Sequence, residues 1–411
     1  MTIKTLFFKT QIIVGLSAAV LNFAQNTDNN NDKDFKLNSS YFPVDNNFAK
    51  AGVETIDGYL VAGQNFEEEE EEEDNTQRNS AIIKIDKSGK LIKKTTLGEN
   101  KDYTKESFMK TVYSINNNRF IQLGSKKIDD RAYLWLREIN ENLDVLQDKL
   151  FESISVSVMH DPMVFNTKDG FYVISESGFY RDLELNVTFI SNDLQKIENH
   201  RISYIEPPFD FYNKFSFSAS MVNNKLYITT NGVDERDKEN IYATKYKTYI
   251  LEYDLSTHKI TRHKKISESD FLSGKVIVHK DLIYVLGVKY TEEQLTDKKI
   301  NIRNTMVKVF NMNFEKVKEF TYVPSADKGK FTQSFYDGVI VNDELHLVGE
   351  MYQNGTFSVY LKFDLTGKLL EDRILKYGSR YAENRLIKIV PLKNNELMLL
   401  GKGEGWRVIV K

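Results

Sequence analysis

Apolar residues in this chain fall into short runs, each opened by a turn-forming residue and closed by glycine or a small polar residue. Gly58-Tyr59-Leu60-Val61-Ala62-Gly63 is the clearest case, and equivalents begin at Asn118, Gly170, Asn224, Asp281, Asp343 and Asn395. The phrase returns at a period of about 50–60 residues, the spacing of β-propeller blades or a related array. Behind each run come two further strands joined by a tight turn, as in Ser80–Ile85, then Asp86-Lys87-Ser88-Gly89, then Lys90–Thr95. Equivalent turns start at Asn140, Ser191, Asp254, Asn311 and Asp364, where aspartate, asparagine, serine and glycine suit hairpin geometry. A shorter, mixed strand precedes each run, as in Phe108–Tyr113 or Lys275–His279. The unit therefore has four strands: an inner strand, a doubly covered second strand, a third, and an outer fourth.

The predicted fold is an all-β, seven-bladed propeller with four-stranded antiparallel blades. The last repeat supplies residues 385–391, 396–401 and 406–411 and then stops before an outer strand. Residues 35–42 (Phe-Lys-Leu-Asn-Ser-Ser-Tyr-Phe) read as a strand without a blade of its own. They are expected to pair with residues 406–411 and close the ring, which leaves no open strand edge there. The propeller domain is thus expected to span residues 35–411.

These repeats resemble those of secreted bacterial β-propeller proteins, in which a "GGYIVAG"-like strand is followed by a "LIKLDxxGNxxW"-like hairpin. The matching text is Gly58–Gly63 with Ile82–Leu91, and more weakly Gly349 with Tyr360–Gly367. Where those repeats carry tryptophan in the outer strand, this chain has Ile92 or Leu370. The resemblance implies an architecture, since one fold hosts many activities.

Composition adds export. Lys4 and Lys9 precede the apolar run Ile12–Leu21, and Ala24 suits a cleavage site, so residues 1–24 read as a signal peptide. That run is shorter than the ~20 residues that span a bilayer, so no transmembrane segment is expected after cleavage. Polar residues 25–34 read as an unstructured leader. The expected location is secreted, periplasmic or cell envelope. The chain has no cysteine, which excludes thiol catalysis, disulfides and Cys-based metal sites. A formal charge of −3 gives no reason to expect a nucleic-acid partner.

Candidate chemistry is sparse. There is no nucleophile elbow, H-E-x-x-H helix, phosphate-binding glycine loop or dinucleotide fingerprint. No catalytic residue, metal site or cofactor is assigned. The acidic run Glu67–Glu73 reads as a self-repelling solvent loop, or else as a site for calcium, a basic partner or a mineral surface. Long connections fall between second and third strands (residues 65–79, 233–244 and 289–304), on the face that also carries the blade-to-blade connections. Long loops on a rigid scaffold usually carry binding. On that face Tyr204, Phe209, Phe211 and Tyr212 surround two prolines beside Glu206 and Asp210, a surface suited to a sugar or protein, or else packing over a blade junction. His160 and Asp161, before the third inner strand, and Arg385, opening the seventh, fall near the channel mouth, with Lys110 and Lys275 as further channel cations or water-facing filler. The expected function is a monomeric binding or scaffolding module for a protein or carbohydrate. The alternative is a polysaccharide hydrolase or lyase at the channel mouth.

Overall fold

A computed structural model describes residues 48–67, 77–97, 108–115, 119–129, 131–156, 161–177, 184–203, 213–233, 246–267, 270–290, 303–323, 332–352, 356–375, 385–402 and 406–411. Seven antiparallel sheets follow one another along the chain. Blade 1 is β1 (Phe48–Glu54), β2 (Gly58–Glu67), β3 (Gln77–Asp86) and β4 (Leu91–Leu97). Blade 2 is β5 (Phe108–Ile115), β6 (Arg119–Ile128), β7 (Arg131–Ile139) and β8 (Val145–Ser155). Blade 3 is β9 (Met163–Asn166), β10 (Gly170–Ser177), β11 (Glu184–Ser191) and β12 (Ile197–Ser203). Blade 4 is β13 (Asn213–Val222), β14 (Lys225–Val233), β15 (Tyr246–Asp254) and β16 (Lys259–Ser267). Blade 5 is β17 (Phe271–His279), β18 (Leu282–Tyr290), β19 (Arg303–Asn311) and β20 (Lys316–Thr321). Blade 6 is β21 (Thr332–Val341), β22 (Glu344–Tyr352), β23 (Thr356–Asp364) and β24 (Leu369–Leu375). Blade 7 is β25 (Arg385–Pro391), β26 (Leu397–Lys402) and β27 (Trp406–Val410).

The protein is an all-β, seven-bladed propeller. Blade 7 has three strands among the described residues. The expected closing strand, residues 35–42, lies outside them, as do the leader and residues 1–24. The ring is nonetheless joined by its core. Ala49, Tyr59, Val61 and Ile83 of blade 1 pack with Met398, Leu400, Val408 and Val410 of blade 7 in one buried cluster. A similar cluster fills every other blade boundary.

The turns explain the polar residues that punctuate the repeats. In blades 5 and 6 two-residue hairpins join the inner to the second strand, with φ of 47° and 60° at Lys280 and Asp281, and 52° and 60° at Asn342 and Asp343. Such turns need positive φ at both positions, which asparagine and aspartate tolerate best. The turns between third and outer strands share another device. Asp86 Oδ1 accepts from the backbone N–H groups of Ser88 and Lys90 at 2.8 and 2.9 Å. Asn140, Asn311 and Asp364 make the same pair of bonds at 2.9–3.0 Å. Asp254 does so with Ser256 and Thr257, and Ser191 Oγ accepts from the Lys196 N–H.

These turns also lock neighbouring blades. Leu143, Leu194 and Phe314 adopt left-handed backbone, with φ of 64°, 60° and 63°. Each buries its side chain in the cluster shared with the preceding blade. The left-handed conformation costs a non-glycine residue about 1–2 kcal/mol. Burying such a side chain returns about 1.5–3 kcal/mol, which decides the balance. Lysines of the preceding blade's outer strand then bond the turn: Lys93 Nζ donates to Asn142 O at 2.7 Å and Lys264 Nζ to Phe314 O at 2.8 Å. Lys149 reaches Leu194 O, and Lys318 reaches Leu365 O, in the same way.

Candidate functional site

The inner strands β1, β5, β9, β13, β17, β21 and β25 line the central channel. Side chains of one inner strand bond the backbone of the next. Val276 N–H donates to Ser218 Oγ at 3.1 Å, Val278 N–H to Ser220 Oγ at 3.2 Å, and Ile389 N–H to Asp337 Oδ2 at 3.3 Å.

Every inner strand except β9 is bulged. The register skips Lys50, Lys110, Phe215, Gly274, Tyr336 and Ile387. The residue before each skip faces a glycine of the second strand: Gly63, Gly124, Gly232, Gly287, Gly349 or Gly401. This accounts for the glycine that closes the repeat. A Cβ at Gly401 would lie 1.8 Å from Arg385 O, and one at Gly287 2.1 Å from Leu272 O. In blade 4 the bulge glycine is Gly232, eight residues after the start of the repeat at Asn224 rather than five or six, because the bulge sits further from the hairpin.

A bulge re-aims the residues beside it. In blades 5, 6 and 7 the residue following the skipped position is Lys275, Asp337 and Lys388. These three charges meet. Asp337 Oδ1 lies 3.0 Å from Lys275 Nζ, and its Oδ2 lies 3.2 Å from Lys388 Nζ. The carboxylate is 4% exposed, while the two lysine side chains keep 21% and 37% of their surface open to the channel. Burial alone would raise the Asp337 carboxyl, but Lys275 and Lys388 hold it below the ordinary carboxylate range. For Lys388, burial opposes the charge and Asp337 outweighs it, so its ammonium is held above the ordinary range.

Two more groups join this cluster. Lys50, the skipped residue of β1, lies 3.7 Å from Asp161 of blade 3, a pair that reaches past blade 2. Tyr113 of β5 donates its hydroxyl to Pro162 O. Burial pushes the Tyr113 phenol up to about 12; Lys388 acts against this, and Asp161 and Asp337 with it. At neutral pH Asp337 is therefore a carboxylate and Tyr113 a neutral phenol. Neither is poised to exchange protons near pH 7.

The expected site residues distribute as follows. Asp161 stands immediately before β9 and takes part in the channel network. Arg385 opens β25, with Nε 3.0 Å from Oε2 of buried Glu350 in the neighbouring blade. His160, Tyr204, Phe209, Phe211 and Tyr212 lie outside the described residues, as do residues 68–74 of the acidic run. Lys275 is in the network. Lys50, Tyr113, Asp337 and Lys388 were not singled out from the sequence, although counting back across the bulge from the repeat glycine lands on Lys275, Asp337 and Lys388. Among the described residues no group of three His, Cys, Asp or Glu side chains could hold a metal ion. None of their helices is long and apolar enough to cross a membrane.

No protein-family model matches the sequence, and a search of curated proteins finds no match. Solved structures do match. One is the polysaccharide lyase Uly1, at a TM-score of 0.49 and 9% identity over 94% of this chain and 94% of that one. Another is Drosophila Semaphorin 2a, with a TM-score of 0.49 and 8% identity over 92% of this chain and 75% of that one. A third is the β-propeller domain of the Trilobed protease from Pyrococcus furiosus, at 0.48 and 7% over 90% and 93%. At such identities the chain is similar to them in its propeller architecture and in nothing finer.

Proposed function

We propose that this protein is an exported binding or scaffolding module that takes a protein or carbohydrate ligand at the loop-bearing face and the mouth of its channel. The observation that carries this reading is the channel network. Asp337 is held ionised between Lys275 and Lys388, and Tyr113 is held neutral, so these groups supply fixed charge and hydrogen bonds rather than proton transfer. The signal-like residues 1–24 support export to the periplasm or beyond. The test is a thermal-shift screen of the protein against sugars, cell-wall fragments and divalent metals. A ligand of the folded state at a hundredfold excess over its Kd adds about 2.7 kcal/mol of stability. A saturable shift names the ligand class. A flat screen, followed by no partner captured from the native envelope, refutes the module.

A second reading, a polysaccharide hydrolase or lyase, is favoured by Asp161. Its side chain is 38% exposed at the channel and sits at a loose 3.7 Å from Lys50. Turnover of a polysaccharide that is lost in Asp161→Asn, with the melting temperature retained, would establish it.

A further inference from the structure

We infer that Lys275, Asp337 and Lys388 form a receptor for an oxyanion carried by the ligand, a carboxylate or a sulfate or phosphate ester, entering along the channel. This rests on the reading of the channel as the binding site, and it names the chemistry that site selects.

The geometry is that of a templated ammonium pair. Asp337 is buried, and its two oxygens face Lys275 at 3.0 Å and Lys388 at 3.2 Å, with Ile389 N–H at 3.3 Å. An ammonium carries three donors, and Asp337 engages one from each lysine. The shared carboxylate thus holds together two cations that would otherwise repel, and leaves donors on both for an acceptor on the open side. Both lysines are accessible to solvent: Lys388 and Lys275 retain 37% and 21% side-chain exposure, against 4% for Asp337.

Charge points the same way. The trio carries one surplus positive charge, and the Lys50–Asp161 pair beside it is neutral. The chain as a whole carries −3. A positive site inside a ring of net negative protein concentrates field lines along the channel.

Ring closure does not require these charges. At the same register position, one residue beyond the bulge, blades 1, 2 and 4 carry Ala51, Thr111 and Ser216. Ion pairs taken out of bulk water are weak contributors to stability. A purely architectural role would therefore be served by small residues in blades 5 to 7 as well.

The experiment is titration of the full chain with sodium glucuronate, sodium sulfate and sodium phosphate, with glucose and sodium chloride as controls at matched ionic strength. Calorimetry or thermal shift reads the affinity. The expected result is saturable binding of at least one oxyanion, weakened about tenfold or more in Lys388→Gln and in Lys275→Gln through loss of a charged hydrogen bond. Lys93→Gln, on the outer rim, should bind as the parent does. Glucuronate without sulfate or phosphate would assign a carboxylate; sulfate or phosphate alone would assign an ester. Binding that is absent, or that survives in both channel variants, overturns the receptor. The two ideas fail separately. A neutral sugar or peptide that binds independently of Lys388, with no oxyanion binding alongside it, keeps the module and removes the oxyanion receptor. Oxyanion binding without capture of any larger ligand keeps the receptor and removes the module.

Discussion

Leu194 offers a test of how the blades are locked. It is fully buried, yet its φ of 60° places it in a conformation that leucine disfavours. Leu194→Ala should destabilise the protein by about 3 kcal/mol, the usual size of a buried leucine truncation. Going on to Leu194→Gly removes one more buried methyl, about 0.8 kcal/mol, but releases about 1 kcal/mol of left-handed strain. The two effects nearly cancel. Leu185, equally buried but within strand β11, is the control. There the alanine-to-glycine step loses the methyl and adds the ~0.5–1 kcal/mol penalty of glycine in a strand. The alanine-to-glycine steps should therefore differ by roughly 2 kcal/mol between the two sites. Urea denaturation of the four variants, followed by tryptophan fluorescence and far-UV circular dichroism, measures this. If glycine is as harmful at position 194 as at 185, the left-handed turn holds no strain, and the balance drawn between strain and burial is wrong.

Three further outcomes are expected. Burial lowers His346 to about 4, so the folded state resists a proton that the unfolded chain accepts near 6.5. Its contribution is complete above pH 6.5 and fades as the pH falls towards 4, by about 2 kcal/mol between pH 7 and pH 5. Burial and the neighbouring His258, stacked at 3.4 Å, lower His200 too, so it acts in the same direction. Denaturant midpoints at the two pH values, with His346→Gln as the flattened comparison, check this. Deleting residues 25–43 should lower the melting temperature sharply, because β27 then keeps an unpaired edge; an unchanged melting curve would refute the closing strand. Asn231 donates to Ser273 O at 2.7 Å and accepts from Ser273 N–H at 2.9 Å and Thr248 Oγ1 at 2.9 Å, all buried between blades 4 and 5. Asn231→Ala strands those partners and should cost about 3 kcal/mol in the same denaturation assay.

The blades were legible because their signals are local. An apolar run flanked by Asn-Asp or Asp-x-Ser-Gly announces a strand and its turn whatever lies elsewhere. The bulges were not legible, since a skipped register depends on hydrogen bonding and selects no residue type at the skipped position itself. Their trace was the repeat glycine, visible in blades such as the first but displaced to Gly232 in the fourth. The turn plugs were hidden for a related reason. Turn chemistry leads one to expect glycine or asparagine at positive φ, and Leu143, Leu194 and Phe314 occupy it because neighbouring blades bury them. The charged trio was hardest to see. Lys275, Asp337 and Lys388 are far apart in sequence and meet only because three blades stand side by side at one level of the ring.

The plugs all reach backwards. Leu143 of blade 2 seats in blade 1, Leu194 of blade 3 in blade 2, and Phe314 of blade 5 in blade 4. During synthesis, each socket is therefore complete before the residue that fills it leaves the ribosome. A blade can dock as soon as its own last turn emerges, and growth of the ring runs in the direction of translation. Blade 1 stands outside this order, because the blade that precedes it in the ring is made last. Its turn carries Gly89 where those of blades 2, 3 and 5 carry a plug. One side of the first blade thus stays uncovered until blade 7 is made, which makes the joint between blades 7 and 1 the last to form.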